Sequence, residues 1–135
     1  MQMNYKCEFT ITGNLICKFA SVSRDYNPLH LNERIAKQSR FGKCIAHGML
    51  ILSLISGIMG SKYPGPGTII CDMLVKFCAP VYVGDTIEVE LSQKDKSQKI
   101  IYIQVRRDNR VLIDGHFHII PPDSVPDDKL FSYRN

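Results

Sequence analysis

The chain has 135 residues, 44% of them hydrophobic and 22% charged, the profile of one globular domain with enough apolar surface to bury a core. That composition excludes disordered, collagen-like and disulfide-scaffold classes. Lysine and arginine outnumber aspartate and glutamate 17 to 13, and the resulting +4 is too small and too scattered to argue for nucleic acid, though it suits an anionic small ligand.

The elements are read in chain order. Residues 6–11 form a short strand, and Thr12 caps a helix over 13–22. The segment Ser23-Arg24-Asp25-Tyr26-Asn27-Pro28-Leu29-His30 is turn-rich, with Pro28 fixing its backbone. Asn32 caps a second short helix over 33–38. Residues 47–60 form a helix whose Met49, Leu50, Ile51, Leu52, Leu54, Ile55, Ile58 and Met59 point in almost every direction, so it reads as buried on all sides. It is too short to cross a membrane. After a loop at Tyr63-Pro64-Gly65-Pro66-Gly67, four strands follow over 68–79, 85–94, 98–107 and 111–120, with Asp108-Asn109 as a hairpin turn. The polar segment 122–135 reads as a loosely ordered tail of this single domain, 1–135.

One apolar helix and an antiparallel sheet make an α+β domain, and a curved sheet wrapped around the long helix is the hot-dog arrangement. An open edge strand in such a sheet invites pairing, so a homodimer is expected. The five cysteines (Cys7, Cys17, Cys44, Cys71 and Cys78) have no metal-ligand spacing, and most have apolar sequence neighbours. Met1 to Tyr5 is polar and no apolar segment follows, so no secretion signal is expected and the compartment reads as reducing and cytoplasmic.

Three features carry chemistry. Asp25 and His30 stand five residues apart across a proline-fixed turn, a spacing that lets an acid and an imidazole share one water. By spacing alone they read equally as a turn former and a surface histidine. Gly48 opens the buried helix, where backbone N–H groups lack partners and the dipole favours negative charge, so a carbonyl oxygen can approach its amide. The alternative is a glycine kept for packing. The loop Pro64-Gly65-Pro66-Gly67-Thr68 reads as a wall beside a ligand or as a plain connector.

The run Phe19-Ala20-Ser21-Val22-Ser23-Arg24-Asp25-Tyr26-Asn27-Pro28-Leu29-His30 resembles the hydratase motif of the MaoC-like dehydratases, a family that includes the (R)-specific enoyl-CoA hydratases. Phe41-Gly42, Ile45-Ala46-His47-Gly48-Met49-Leu50, the Pro64–Thr68 loop, Phe77 and Pro80-Val81-Tyr82-Val83-Gly84-Asp85-Thr86 match in the same order, so the resemblance covers roughly residues 5 to 120. It implies that Asp25 and His30 are the catalytic pair, that Asn27 orients them or the water, and that the Gly48 amide receives the thioester carbonyl. Ser56 falls at the family position of a serine near the catalytic aspartate. Members often carry glycine where this chain has Arg24, which puts rate in question more than reaction type.

The resemblance implies an acyl-CoA substrate, no metal and no cofactor, with no nucleic-acid or membrane partner. Rival readings are the same chemistry on an acyl-carrier-protein thioester, a non-catalytic acyl-thioester-binding module, and a thioesterase. His116 and His118 share a strand face and read as solvated rather than as metal ligands. His47 reads as a structural hydrogen-bonder more than a second base. Lys94, Lys96 and Lys99 surround one hairpin turn, which by itself reads as a soluble tip, and Arg106, Arg107 and Arg110 cluster at another; either could meet the phosphates of coenzyme A, and the sequence does not choose between them.

Overall fold

The computed structural model describes residues 3–95 and 99–122. Its elements are β1 (Met3–Thr10), α1 (Gly13–Ser23), α2 (Pro28–Leu31), α3 (Glu33–Gln38), α4 (Gly48–Ser61), β2 (Ile69–Phe77), β3 (Thr86–Gln93), β4 (Ile100–Arg107) and β5 (Arg110–Ile120). The strands form one antiparallel sheet in the order β1-β3-β4-β5-β2. The tail expected over 122–135 lies, after Pro122, outside the described residues, as does Lys96.

Period-two alternation builds the sheet's inner face. Ile87, Val89 and Leu91 of β3, Ile101, Ile103 and Val105 of β4, and Ile113, Phe117 and Ile119 of β5 are all buried there. They close on Leu50, Ile51, Ile55, Ile58 and Met59 of α4, with Ile16 of α1 completing the cluster. Each such side chain contributes about 1.5–3 kcal/mol on leaving water. This is the expected hot-dog arrangement.

Capping residues set the helix starts. Thr12 accepts from the Leu15 N–H, Asn27 from the Leu29 N–H and Asn32 from the Ile35 N–H, each at 3.1 Å. Arg24 ends α1 in the left-handed conformation, φ 59° and ψ 22°. That is a backbone position glycine fills without cost, a physical reason for glycine to be favoured there.

Two expectations need correction. The segment around Pro28 is not wholly irregular: Pro28 starts the four-residue helix α2, because its fixed φ and missing N–H suit a first helical position. Nor is α4 buried on all sides. Met49, Ser53, Ser56, Gly57 and Gly60 form an exposed stripe, since the sheet wraps only the opposite face. Beside that stripe the edge strand β2 exposes Met73 (47%), Leu74 (69%) and Phe77 (52%). The thiols follow the same pattern. Cys44 is buried and Cys7 half-buried, while Cys17, Cys71 and Cys78 are exposed, so most are not packed among apolar groups; all five are free.

Candidate active site

The Asp25–His30 segment is built from short-range bonds. Ser23 Oγ, itself donating to the Phe19 carbonyl, accepts from the Asp25 N–H at 3.2 Å. Asp25 Oδ1 accepts from the Asn27 N–H at 3.1 Å, and the Asn27 side chain caps α2. Both oxygens of Asp25 are thereby distinguished, and Oδ2 faces Nε2 of His30 at 4.0 Å. A single water about 2.8 Å from each atom fits that separation.

His30 is fixed from its other nitrogen. Nδ1 lies 2.7 Å from the Ile45 carbonyl, which only accepts, so Nδ1 carries the proton and the neutral ring presents a bare lone pair at Nε2. Its side chain is 12% exposed, whereas that of Asp25 is 51% exposed. Ile45 is held in turn by its N–H to the Leu29 carbonyl at 3.2 Å and by a bridge to Tyr82.

His30 and Gly48 line one cavity of about 560 Å³. The remaining wall is mainly apolar, from Phe41, Met49, Ile51, Phe77 and Val81, with Arg40 as its one cationic side chain. Gly48 is the first residue of α4, where the N–H has no intrahelical acceptor and the dipole favours developing negative charge. A Cβ added there would sit 2.5 Å from Cε1 of Phe77, so any larger residue must displace that ring. A base with a free lone pair and an amide donor in one apolar pocket, with a carboxylate facing the base from beside it, can polarise a carbonyl and activate water against it.

The sequence profile of the MaoC-like domain matches residues 1–113. The chain belongs to the MaoC-like domain family. It is 35% identical over 117 residues to the (R)-specific enoyl-CoA hydratase of Rhodospirillum rubrum, covering 84% of this chain and 81% of the relative. It is 40% identical over 81 residues to the 3-hydroxybutyryl-CoA dehydratase of Methylorubrum extorquens, covering 60% of this chain but only 52% of that relative; the chain thus spans about half of the latter. Among solved structures, the unliganded R-hydratase of Pseudomonas aeruginosa superposes with a TM-score of 0.84 at 33% identity, covering 92% of this chain and 83% of that one.

Within this MaoC-like fold the sequence-derived candidates separate. Asp25, Asn27, His30 and Gly48 come together. Asn27 meets the pair through its backbone N–H and its cap on α2. Ser56 does not join them: it stands eight residues beyond Gly48, about 12 Å along the helix axis. Its face is rotated by about 80°, exposed and off the cavity wall. The Pro64–Thr68 loop is a connector, tied to Met59 by the Gly65 N–H and packed at Gly67 against Pro122, at the opposite end of β2 from the cavity. Arg24 forms no ion pair with Asp25 among the described residues.

The sequence left open whether Met49, Leu52, Ile55, Ile69 or Leu74 faces an acyl tunnel, and of these Met49 lines the cavity; Arg40 and Phe77 had no role as wall residues, and only contact across the fold reveals them. Of the two basic clusters, the β4–β5 hairpin lies at the cavity end. Its Arg107 donates to the carbonyl of the cavity residue Pro80 at 3.2 Å. Asp25, His30 and His47 are the described residues whose donor atoms could gather a metal ion, all within 4.8 Å. However, Nε2 of His47 is committed to the Asp25 carbonyl, and the two imidazoles lie stacked with centroids 3.8 Å apart, so their in-plane lone pairs do not converge. His118 bonds Asp72 and shares the outer sheet face with His116, without a third ligand among the described residues.

Proposed function

We propose that this MaoC-like protein is a hydro-lyase that reversibly adds water to trans-2-enoyl-CoA, giving (R)-3-hydroxyacyl-CoA. The observation that carries the reading is the facing of His30 Nε2 and Asp25 Oδ2 at 4.0 Å beside a cavity that also holds the Gly48 amide. The thioester oxygen docks at the Gly48 N–H, which stabilises charge as an enolate develops. Water oriented by Asp25 Oδ2 gives a proton to His30 Nε2 as its oxygen bonds to C3, and the protonated pair then returns that proton to C2 as the enolate collapses, which leaves His30 and Asp25 as they began. In the reverse direction C2 loses a proton and hydroxide leaves C3 with a proton from the pair. The (R) sense rests on likeness to relatives named for it, and no metal or cofactor enters.

The working form is read as a homodimer in a reducing, cytoplasmic compartment. The free edge of β2, with Met73 and Phe77 exposed on its inner side and Met49 exposed on α4, supports the dimer, because a second copy over this face would cover apolar surface and extend the cavity wall. Among the described residues no helix is long and apolar enough to cross a membrane. Arg40, stacked on Phe41 at 4.9 Å, offers a cation to the anionic part of coenzyme A.

Loss of enoyl-thioester absorbance with crotonyl-CoA and one longer trans-2-enoyl-CoA tests the reaction, with Asp25→Asn in parallel. Turnover that disappears in the variant supports the assignment. Turnover only of the carrier-protein thioester would move the substrate to that class, and thioester binding without turnover would make the protein a binding module.

A further inference from the structure

The reaction above gives no task to His47, yet this imidazole is one of two buried polar residues among those described, 2% exposed. Its Nε2 lies 3.0 Å from the Asp25 carbonyl, and since a carbonyl only accepts, Nε2 is the protonated nitrogen. Its ring lies against the face of His30, centroids 3.8 Å apart and planes 30° from parallel, while the edge of Phe19 closes the other side at 5.0 Å. Nδ1 is buried with no partner, so neither nitrogen serves as a helix cap although His47 occupies the capping position of α4.

We infer that His47 is a positioning residue, setting Asp25 and His30 in register with the Gly48 amide. This rests on the hydratase reading. The bonds within residues 23–30 join near neighbours only. Among the described residues three hydrogen bonds tie the segment to residues distant in sequence. Two lie at its far end, His30 Nδ1–Ile45 O and Ile45 N–Leu29 O. The third, from His47, is the one that holds the Asp25 end across the fold, since the Ser23 hydroxyl ties it only to Phe19 in the adjoining helix. His47 also precedes Gly48 in the chain. One side chain therefore links the carboxylate, the base and the carbonyl-binding amide, and an error of about 1 Å among such groups is enough to cost about a hundredfold in rate.

The two contacts can be removed separately. His47→Phe keeps an aromatic face for His30 and loses the donor. His47→Gln keeps a side-chain N–H near the position of Nε2 and loses the face. His47→Ala loses both. The expected result is a kcat at least tenfold lower for His47→Phe and His47→Ala with KM within about threefold, and recovery of most of that loss in His47→Gln. In an Asp25→Asn background the effect of His47→Phe should shrink below threefold, because it acts through Asp25.

Hydrogen exchange read by mass spectrometry supplies a second arm. Amides of residues 25–30 should exchange faster in His47→Phe and His47→Ala, while those of β3, β4 and β5 stay as in the parent. Unchanged kcat with unchanged exchange overturns the inference. So does faster exchange throughout the sheet, which would make His47 an ordinary core residue. If the parent protein turns over no thioester, the hydratase reading fails by that fact alone, and the exchange arm still decides whether His47 holds the segment.

Discussion

Replacing Gly48 by alanine separates the chemical role of its amide from its packing. The new Cβ would stand 2.5 Å from Cε1 of Phe77 and 3.0 Å from Cδ1 and Cζ. Carbon atoms rest at about 3.5 Å or more, so the ring must retreat by about 1 Å. Phe77 is 52% exposed and can swing outward, which places the cost at the low end of the ~1–3 kcal/mol seen for overpacking. Alanine's better helix propensity offsets up to about 1 kcal/mol of that. The net destabilisation is about 0–2 kcal/mol, and a Tm lowered by no more than about 8 °C is expected in a thermal melt. The catalytic loss is larger. The methyl group occupies the approach to the amide, and loss of one carbonyl-oxygen donor costs about 10²–10³ in kcat. The assay is initial rate with crotonyl-CoA. The double variant Gly48→Ala/Phe77→Ala removes the clash and should regain stability without regaining rate. A rate within tenfold of the parent in folded Gly48→Ala would refute the role given to this amide.

Four further outcomes are expected. Asp25→Asn and His30→Ala should each lower kcat at least about a hundredfold while leaving the thermal melt within a few degrees, and a near-normal rate in either would sink the water-activating pair. Met73→Asp, a charge on the half-exposed inner side of β2, should convert a dimer to a monomer by light scattering; a monomeric parent protein would refute the dimer outright. Arg24→Gly should stabilise by about 1 kcal/mol, read as a higher urea midpoint, because it relieves a left-handed backbone, φ 59°. Burial raises the Cys7, Cys44 and Tyr63 pKa values above their ordinary 9.0, 9.0 and 10.0, with Glu33 adding to the effect at Cys44. The folded state therefore keeps these protons after the unfolded chain loses them. Stability from this source is intact below about pH 9 and falls as pH rises further, so the urea midpoint should drop between pH 8 and pH 10 by more than in Cys44→Ala.

How much was legible depended on whether the cause was local. Thr12 and Asn32 announce helix starts because a capping bond spans only three residues, and both observed starts agree with them. Asp25 and His30 were legible for the same reason, since a five-residue turn decides where both point. Asn27 was legible as a neighbour of the pair but not in its manner of contact, because the sequence does not say whether side chain or backbone meets Asp25. The exposed stripe of α4 was not legible. Which side of an apolar helix is covered depends on the strand order β1-β3-β4-β5-β2, and β2 reaches the edge only by crossing past three later strands. Ser56 stays off the cavity wall for that kind of reason: a matching position in a motif does not place a side chain on the cavity side of the helix. The stacking of His47 on His30 joins residues 17 apart through tertiary packing, and no periodicity encodes it.

The arrangement divides the cavity into a fixed end and a soft end. At the fixed end each imidazole spends one nitrogen on a backbone carbonyl, His30 on Ile45 and His47 on Asp25. Backbone carbonyls do not change when side chains are substituted, so the tautomers and ring orientations that chemistry requires are insulated from variation in the walls. At the soft end Met49 and Phe77 are 54% and 52% exposed, and methionine adapts its shape at little cost. Both lie on the face that a second copy would cover. Under the proposed reaction, the geometry that would activate water is complete within one chain, while Met49 and Phe77 leave the wall facing the acyl group open in it. Reaction type and acyl preference are thus separable properties of this fold. The first is set by hydrogen bonds inside the chain and the second by apolar side chains at its open face, so substitutions at Met49 and Phe77 can alter the acyl group accepted without touching the bonds that orient His30.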